Sequence, residues 1–337
     1  MTNRISLPAP DDFHAHLRRG PAMAAYARAH AASFGRALVM PNTVPPIASG
    51  AQVAAYRAEI AAAAPRLEPL MCFKLIPGMG RARVLECARA GAIAGKYYPA
   101  GSTTQSADGV RDPSEVREEL EAMEEASLVL SVHAEDPTAP ALEREAAFLP
   151  TLERILAERP ALKVVVEHLS SAAGLGFVLG GPARLAGTVT AHHLLFTIDD
   201  MIGESLDPHL YCKPVLKSER DRDALRDAVF RGEGRLFFGS DSAPHPRSAK
   251  ERGRAASGVY SSPTALCALA GLFEAAGRLE ALEHFVAGPG AAFYSLPPPS
   301  GRIELERAEW RVPEEADGAV PMLAASVLPW RISSLSR

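Results

Sequence analysis

Eight short apolar runs, each followed by a longer stretch of helical character, constrain this chain more than any other feature. The runs cover 12–17, 36–41, 69–75, 93–98, 127–133, 162–168, 185–190 and 235–240. Several are near-continuous, such as Leu162-Lys163-Val164-Val165-Val166, the pattern of parallel strands covered on both faces. Between them lie Ala-, Leu- and Glu-rich segments that read as helices, among them 51–64, 113–126 and 142–158. Eight strand–helix alternations favour an α/β fold of the (β/α)8 TIM-barrel type over a doubly wound sheet. With 337 residues, 47% of them hydrophobic, the chain can fill such a barrel. The expectation is a single domain over 1–337, with a C-terminal tail from about residue 302.

The formal charge is −4 with both signs interspersed, so no basic face is implied and nucleic acid is not an expected partner. The first thirteen residues carry no apolar signal region. No apolar run is long and clean enough to span a bilayer, so no membrane partner is expected. Cys72, Cys87, Cys212 and Cys267 are scattered, with no Cys-x-x-Cys pair. They read as small core residues in a reducing compartment, and a soluble cytoplasmic protein is expected. The Arg/Lys-rich stretch 247–254 and the Pro-rich stretch 296–299 read as solvated loops.

The chemistry gathers where the strands end. Phe13-His14-Ala15-His16-Leu17-Arg18 closes the first run. Side chains two apart on a strand project the same way, so His14 and His16 would stand side by side, with Arg18 following on that face. A lone His-x-His also occurs by chance on exposed strands. Here the series continues, with Lys96 ending the fourth run, His133 the fifth, His168 the sixth and Asp241 following the eighth. Active sites of barrels collect at these strand ends. Four imidazoles and a carboxylate suit zinc or a neighbouring divalent ion.

Lys96 is the odd member. An ammonium cannot ligate a metal, and burying one beside two cations is costly. Its pKa would fall there, leaving a neutral amine. A neutral amine can add carbon dioxide to give a carbamate, an anionic two-oxygen ligand able to bridge two ions. The plainer reading is a lysine snorkelling to solvent. Lys74, also on a buried strand, is a rival for the role.

The ordered set His14, His16, Lys96, His133, His168 and Asp241 resembles the two-metal amidohydrolase superfamily. The segments 11–18, Met40-Pro41-Asn42-Thr43, Lys96-Tyr97-Tyr98-Pro99-Ala100, Pro208-His209-Leu210-Tyr211-Cys212 and 239–245 resemble dihydroorotases of the short bacterial type. The resemblance runs from about Leu7 to about Leu305. Only thirteen residues precede His14, which leaves no room for the N-terminal half of the β-sandwich of longer amidohydrolases.

The resemblance implies two Zn2+ per subunit and an N6-carboxylysine at Lys96. One ion would be held by His14, His16, the carboxylated Lys96 and Asp241, the other by the carboxylated Lys96, His133 and His168. Hydroxide would attack the ring amide of dihydroorotate, with Asp241 relaying the proton to the leaving nitrogen. Arg18, Asn42 and His245 would take the substrate carboxylate, and Leu216 and Ser262 would offer backbone groups to the ring. Thr103 and Thr104, in the polar loop 101–109, would close over the substrate. A homodimer acting on this small molecule in pyrimidine synthesis is implied. A hydantoinase- or allantoinase-like enzyme and a non-catalytic homologue stay open as alternatives. Of the other histidines, His30 and His284 are expected on helix surfaces and His209 in a structural role. His192 and His193 are adjacent, so only one could face the site if that segment is extended.

Overall fold

The structure, a computed structural model, describes residues 3–336. Its centre is an eight-stranded parallel sheet curled into a TIM barrel. A first strand, β1 (Arg4–Pro8), lies outside the barrel. The barrel strands are β2 (Asp11–Ala15), β3 (Arg36–Val39), β4 (Glu68–Lys74), β5 (Ala92–Tyr97), β6 (Val129–Val132), β7 (Val164–Val166), β8 (Leu185–Val189) and β9 (Leu236–Phe238). They pair in chain order, and all eight fall where the apolar runs predicted them. Helices follow most strands, including Gly50–Ala63, Arg117–Glu125 and Arg144–Glu158. The expected helix over 113–126 starts as a 3-10 turn, Pro113–Val116, with Asp112 accepting from the Ser114 N–H at 2.9 Å.

Period-two alternation sets the interior. Leu38, Cys72, Ala94, Val129, Val165, Ala186 and Phe237 form an apolar cluster separate from the larger one between sheet and helices. Tyr294 joins that inner cluster and stacks on Phe13, ring centroids 4.9 Å apart. Two or four residues further along the same strands, the same face carries Asn42, Lys74, Lys96, His133, Glu167, Thr188 and Asp241. The strand starts are thus apolar and the strand ends polar, which concentrates the chemistry at one mouth of the barrel.

Three expectations need correction. The N-terminal residues and the tail are not spare chain. β1 pairs antiparallel with β10 (Arg302–Glu306). After the short pair β11 (Trp310–Arg311) and β12 (Val327–Leu328), β13 (Arg331–Ser336) pairs with β10. His30 is buried on the inner face of helix Met23–Ala31, with its Nε2 3.0 Å from Asp12 Oδ2. His192 and His193 lie in a short helix, Ala191–Leu195, because the Thr190 hydroxyl caps it by accepting from the His193 N–H at 3.0 Å. His284 is exposed, as expected. In the basic stretch, Arg252 and Arg254 are exposed, whereas Lys250 is buried and donates to the carbonyls of Tyr211 and Gly258. No helix among the described residues is long and apolar enough to cross a membrane.

The tail is anchored by Trp330, which is fully buried and donates its indole N–H to Glu274 Oε2 at 3.1 Å. Trp330→Ala is expected to cost about 3–5 kcal/mol, seen as a lowered Tm. A variant as stable as the parent would show that the tail is dispensable to the barrel.

Candidate active site

β2 ends at Ala15, one residue before His16, and Arg18 adopts a left-handed backbone with φ 61°. The two histidines nevertheless meet, with Nε2 atoms 3.2 Å apart. Asp241 Oδ1 completes the group at 3.3 Å from His14 Nε2 and 3.1 Å from His16 Nε2. The outer ring nitrogens are engaged elsewhere. His14 Nδ1 faces Glu167 Oε2 at 2.9 Å and His16 Nδ1 faces Asn42 Oδ1 at 2.8 Å. A carboxylate and an amide oxygen accept only, so both imidazoles carry their proton on Nδ1. Two Nε2 lone pairs and a carboxylate oxygen then point at one another.

His133 and His168 form a second convergence, Nδ1 to Nε2 at 3.0 Å. Glu135 Oε2, 2.8 Å from His133 Nε2, holds the proton on that nitrogen and leaves Nδ1 free. Lys96 is fully buried, and its Nζ has no hydrogen-bond partner among the described residues. Lys74 sits beside it in register, but its Nζ is engaged by Gln105 O and Asp108. Of the two rivals only Lys96 is free to be modified.

These donors fit the metals that the resemblance implies. Ligands about 2.0–2.1 Å from a tetrahedral zinc stand about 3.3 Å apart, close to the separations seen here. Burial drives the imidazoles of His14, His16 and His168 neutral, as ligands must be. His14 is pushed well below its ordinary value by burial and by Lys96, and His168 by burial, His133 and Lys96. Burial also lowers the Lys96 amine, against the pull of Glu167, Cys72 and Asp241. For Asp241 burial acts upward, but His14 and His16 hold the carboxyl below its usual range.

A second grouping, His192, His193 and Cys212, has ligand-type atoms within 4.8 Å of one another. Two of its members are spoken for, while both ring nitrogens of His192 are buried without a hydrogen-bond partner among the described residues. The ring nitrogens of His193 bond to Thr190 and to the carbonyl of Pro214, and the Cys212 thiol donates to that same carbonyl.

A cavity opens above the convergent histidines. His14, His16, Arg18, Asn42, Thr103, Thr104, His133, His168 and Asp241 line it. Lys96 lies beneath, and His245 lines an adjoining outer cavity. Arg18 donates through Nε to Pro244 O at 3.1 Å, and its Nη2 is 2.8 Å from His245 Nε2. Burial and the charge of Arg18 push His245 down to about 3, so of this pair Arg18 carries the cationic charge. Leu216 and Ser262 are buried and line neither cavity. Lys213 and Ser257 stand on both walls instead.

Sequence reading also passed over Tyr98, Glu167 and Glu135. Tyr98 lines the cavity, and its phenol is pushed up by burial. The period-two rule from Lys96 points to it. Glu167 and Glu135 flank predicted ligands, a placement that suits carboxylates orienting histidines. Nothing in the sequence marks Ser257. Strain concentrates here too, since His168 and Asp241 are non-glycine residues at φ 44° and 42°.

No family model matches the chain. It is 44% identical over 339 residues to a dihydroorotase of Halorhodospira halophila, covering 97% of this chain and 98% of that one. A dihydroorotase of Cereibacter sphaeroides is 45% identical over 316 residues, covering 92% and 91%. The crystal structure of dihydroorotase from Saccharomyces cerevisiae in complex with 5-fluoroorotic acid matches with a TM-score of 0.93 at 32% identity, covering 99% of each chain. An L-hydantoinase from Arthrobacter aurescens, with a TM-score of 0.83 at 17% identity, shares the fold alone.

Glu167 fixes the tautomer of His14 and also accepts from the Thr188 hydroxyl at 2.7 Å. Glu167→Gln is expected to weaken metal retention about 10- to 100-fold, measured by chelator competition with metal analysis. Retention equal to the parent would remove Glu167 from that role.

Proposed function

The chain belongs to the dihydroorotase family of metal-dependent amidohydrolases, and from this premise we propose how its cavity interconverts (S)-dihydroorotate and N-carbamoyl-L-aspartate. The observation that carries the reading is the convergence of His14, His16 and Asp241, and of His133 and His168, beside the buried unpartnered amine of Lys96. We assign two zinc ions to these groups, one to His14, His16 and Asp241 and one to His133 and His168, with Lys96 as a carbamate serving both. Bound there, the ions supply Lewis acidity toward the ring amide and bring water within reach of deprotonation near neutral pH.

The chain's own residues do the rest. Among the described residues Arg18 Nη1 has no protein partner, so part of its fork is free for the substrate carboxylate. Asn42 holds Thr104 O only through a long 3.4 Å bond from Nδ2, which leaves donor capacity for the same carboxylate. His245, neutral, supports Arg18 from the outer side. Thr103 and Thr104 cover the ring, and Lys213 and Ser257 take the ring-edge role expected of Leu216 and Ser262. Asp241 is ionised and can accept a proton from the attacking water. It returns that proton to the ring nitrogen as the C–N bond breaks, a general base and then a general acid. Ring closure runs the same steps backward and is the direction pyrimidine synthesis uses. The whole chain is proposed to act as one domain, as a homodimer in the cytoplasm, on the strength of the family resemblance.

Metal-replete protein given dihydroorotate or N-carbamoyl-aspartate should interconvert them, lose activity to a chelator, and leave hydantoin and allantoin intact. Turnover of hydantoin or allantoin alone would overturn the substrate assignment while keeping the metal site. Asp241→Asn is expected to lower kcat by about 1,000-fold. Arg18→Met should raise KM about tenfold or more with metal content unchanged, and an unchanged KM would remove Arg18 from the carboxylate pocket.

A further inference from the structure

Lys74 is a buried cation that the chemistry above does not use. It ends β4 beside Lys96 in register and is 1% exposed. Burying an ammonium requires partners, and both of its partners come from one loop. Nζ donates to Gln105 O at 2.6 Å and to the carboxylate of Asp108, whose side chain is 49% exposed. That loop, 101–109, carries Thr103 and Thr104 onto the cavity wall.

The other ties of the loop are between neutral groups, among them the Ser102 hydroxyl to Pro99 O at 2.8 Å and the Ser106 hydroxyl to Thr103 O at 2.6 Å. Its base is joined by backbone bonds between Ala100 and Val110 and between Val110 and Tyr98. Near its tip, Asn42 donates to Thr104 O at 3.4 Å, and the hydroxyls of Thr104 and Ser257 stand 3.3 Å apart. Both of these are long contacts between neutral groups. The bond from Lys74 to Asp108 is charge-assisted and of the stronger class. Gln105, whose carbonyl Lys74 holds, sits at φ 56°, a conformation that persists in a non-glycine residue only where surrounding structure enforces it. The Lys74 ammonium also lies 6.0 Å from the ring of Tyr98, itself on the cavity wall.

We infer that Lys74 is a positioning residue: it clasps the loop from beneath through Gln105 and Asp108, and so sets how firmly Thr103 and Thr104 close over the substrate. The inference rests on the reading that those threonines face the substrate. A lysine buried only for packing would bond to whatever lay nearest. This one spends its donors on the loop that carries Thr103 and Thr104 to the cavity wall, thirty-one and thirty-four residues further along the chain.

The test uses metal-replete protein carrying Asp108→Asn, Asp108→Glu or Lys74→Met. Asp108 is half exposed, so its variants should fold even if Lys74→Met does not. For Asp108→Asn and Lys74→Met we expect faster amide hydrogen exchange confined to 101–109 and unchanged metal content. We also expect a KM for dihydroorotate raised about tenfold, with kcat within about twofold. Asp108→Glu should restore KM, and the double variant should be no worse than Lys74→Met, the mark of one shared interaction. Unchanged exchange in both single variants would overturn the clasp. Faster exchange with unchanged KM would overturn the positioning role. Thr103→Ala and Thr104→Ala, run alongside, separate the two readings. If they leave KM unchanged, the substrate role of the loop fails, whereas raised KM values there beside an unchanged KM for the clasp variants leave that role intact.

Discussion

One carboxylate, with a few backbone bonds beyond it, closes this barrel. Adjacent strands from β2 to β9 are joined by parallel ladders, but among the described residues β9 and β2 share no paired segment within their spans. Asp12 fills the gap. Its Oδ1 accepts from the N–H of His14 at 2.9 Å and from the N–H of Ser240 at 2.7 Å, one on each side of the seam. Beyond it the Asp241 N–H donates to His14 O at 2.8 Å, and the His16 N–H to Ser242 O at 3.0 Å. Leaving either amide held by Asp12 buried and unpaired would cost about 1–3 kcal/mol. The seam therefore places His14, His16 and Asp241 in one group, although more than 220 residues separate their strands. His30, behind Asp12 at 3.0 Å, belongs to the same device.

The seam brings the ligands together, and acceptor-only partners then aim them. Glu167 and Glu135 each face the ring nitrogen that is not needed, so the useful lone pairs of His14 and His133 are directed inward. Burial raises Glu167 and lowers Lys96, each partly held back by the other. In a site this dry, five convergent donor atoms repel unless a cation lies among them. The protein supplies that arrangement with most of its hydrogen bonds already committed on the outer side. Reorganisation on metal binding is correspondingly small, and the φ values of 44° at His168 and 42° at Asp241 are part of the strain that preorganisation carries.

The sequence made the barrel legible because each strand is buried on both faces and therefore reads as an apolar run that ends in a polar residue. His14, Lys96, His133, His168 and Asp241 could be found by counting strands. Residues whose contribution is a backbone group could not. Lys213 and Ser257 line the cavity wall while Leu216 and Ser262 are buried away from it, and no side-chain chemistry in the sequence marks that difference. His30 was misjudged for a different reason. A helical histidine looks exposed until the carboxylate it faces is known, and Asp12 acts across the seam. The sheet of β1, β10 and β13 was invisible because its partners lie at opposite ends of the chain, where short strands carry little pattern of their own.

Lys74 and Lys96 show where sequence reasoning must stop and structure take over. Both end apolar runs, both are buried, and they sit side by side in register. Composition and spacing offer no ground for giving them different chemistry. The difference lies in what each Nζ meets. Lys74 finds a carbonyl and a carboxylate from the loop above and is satisfied as a donor. Lys96 finds imidazoles whose lone pairs are turned toward each other, and no acceptor within reach. A lysine in the first setting already has its donors placed. In the second setting, adding carbon dioxide converts an unsatisfied amine into an anion that can meet cations on both sides. The two residues thus meet opposite surroundings at the same mouth: Lys74 is tied to the loop above, and Lys96 stands unpartnered beside the convergent histidines.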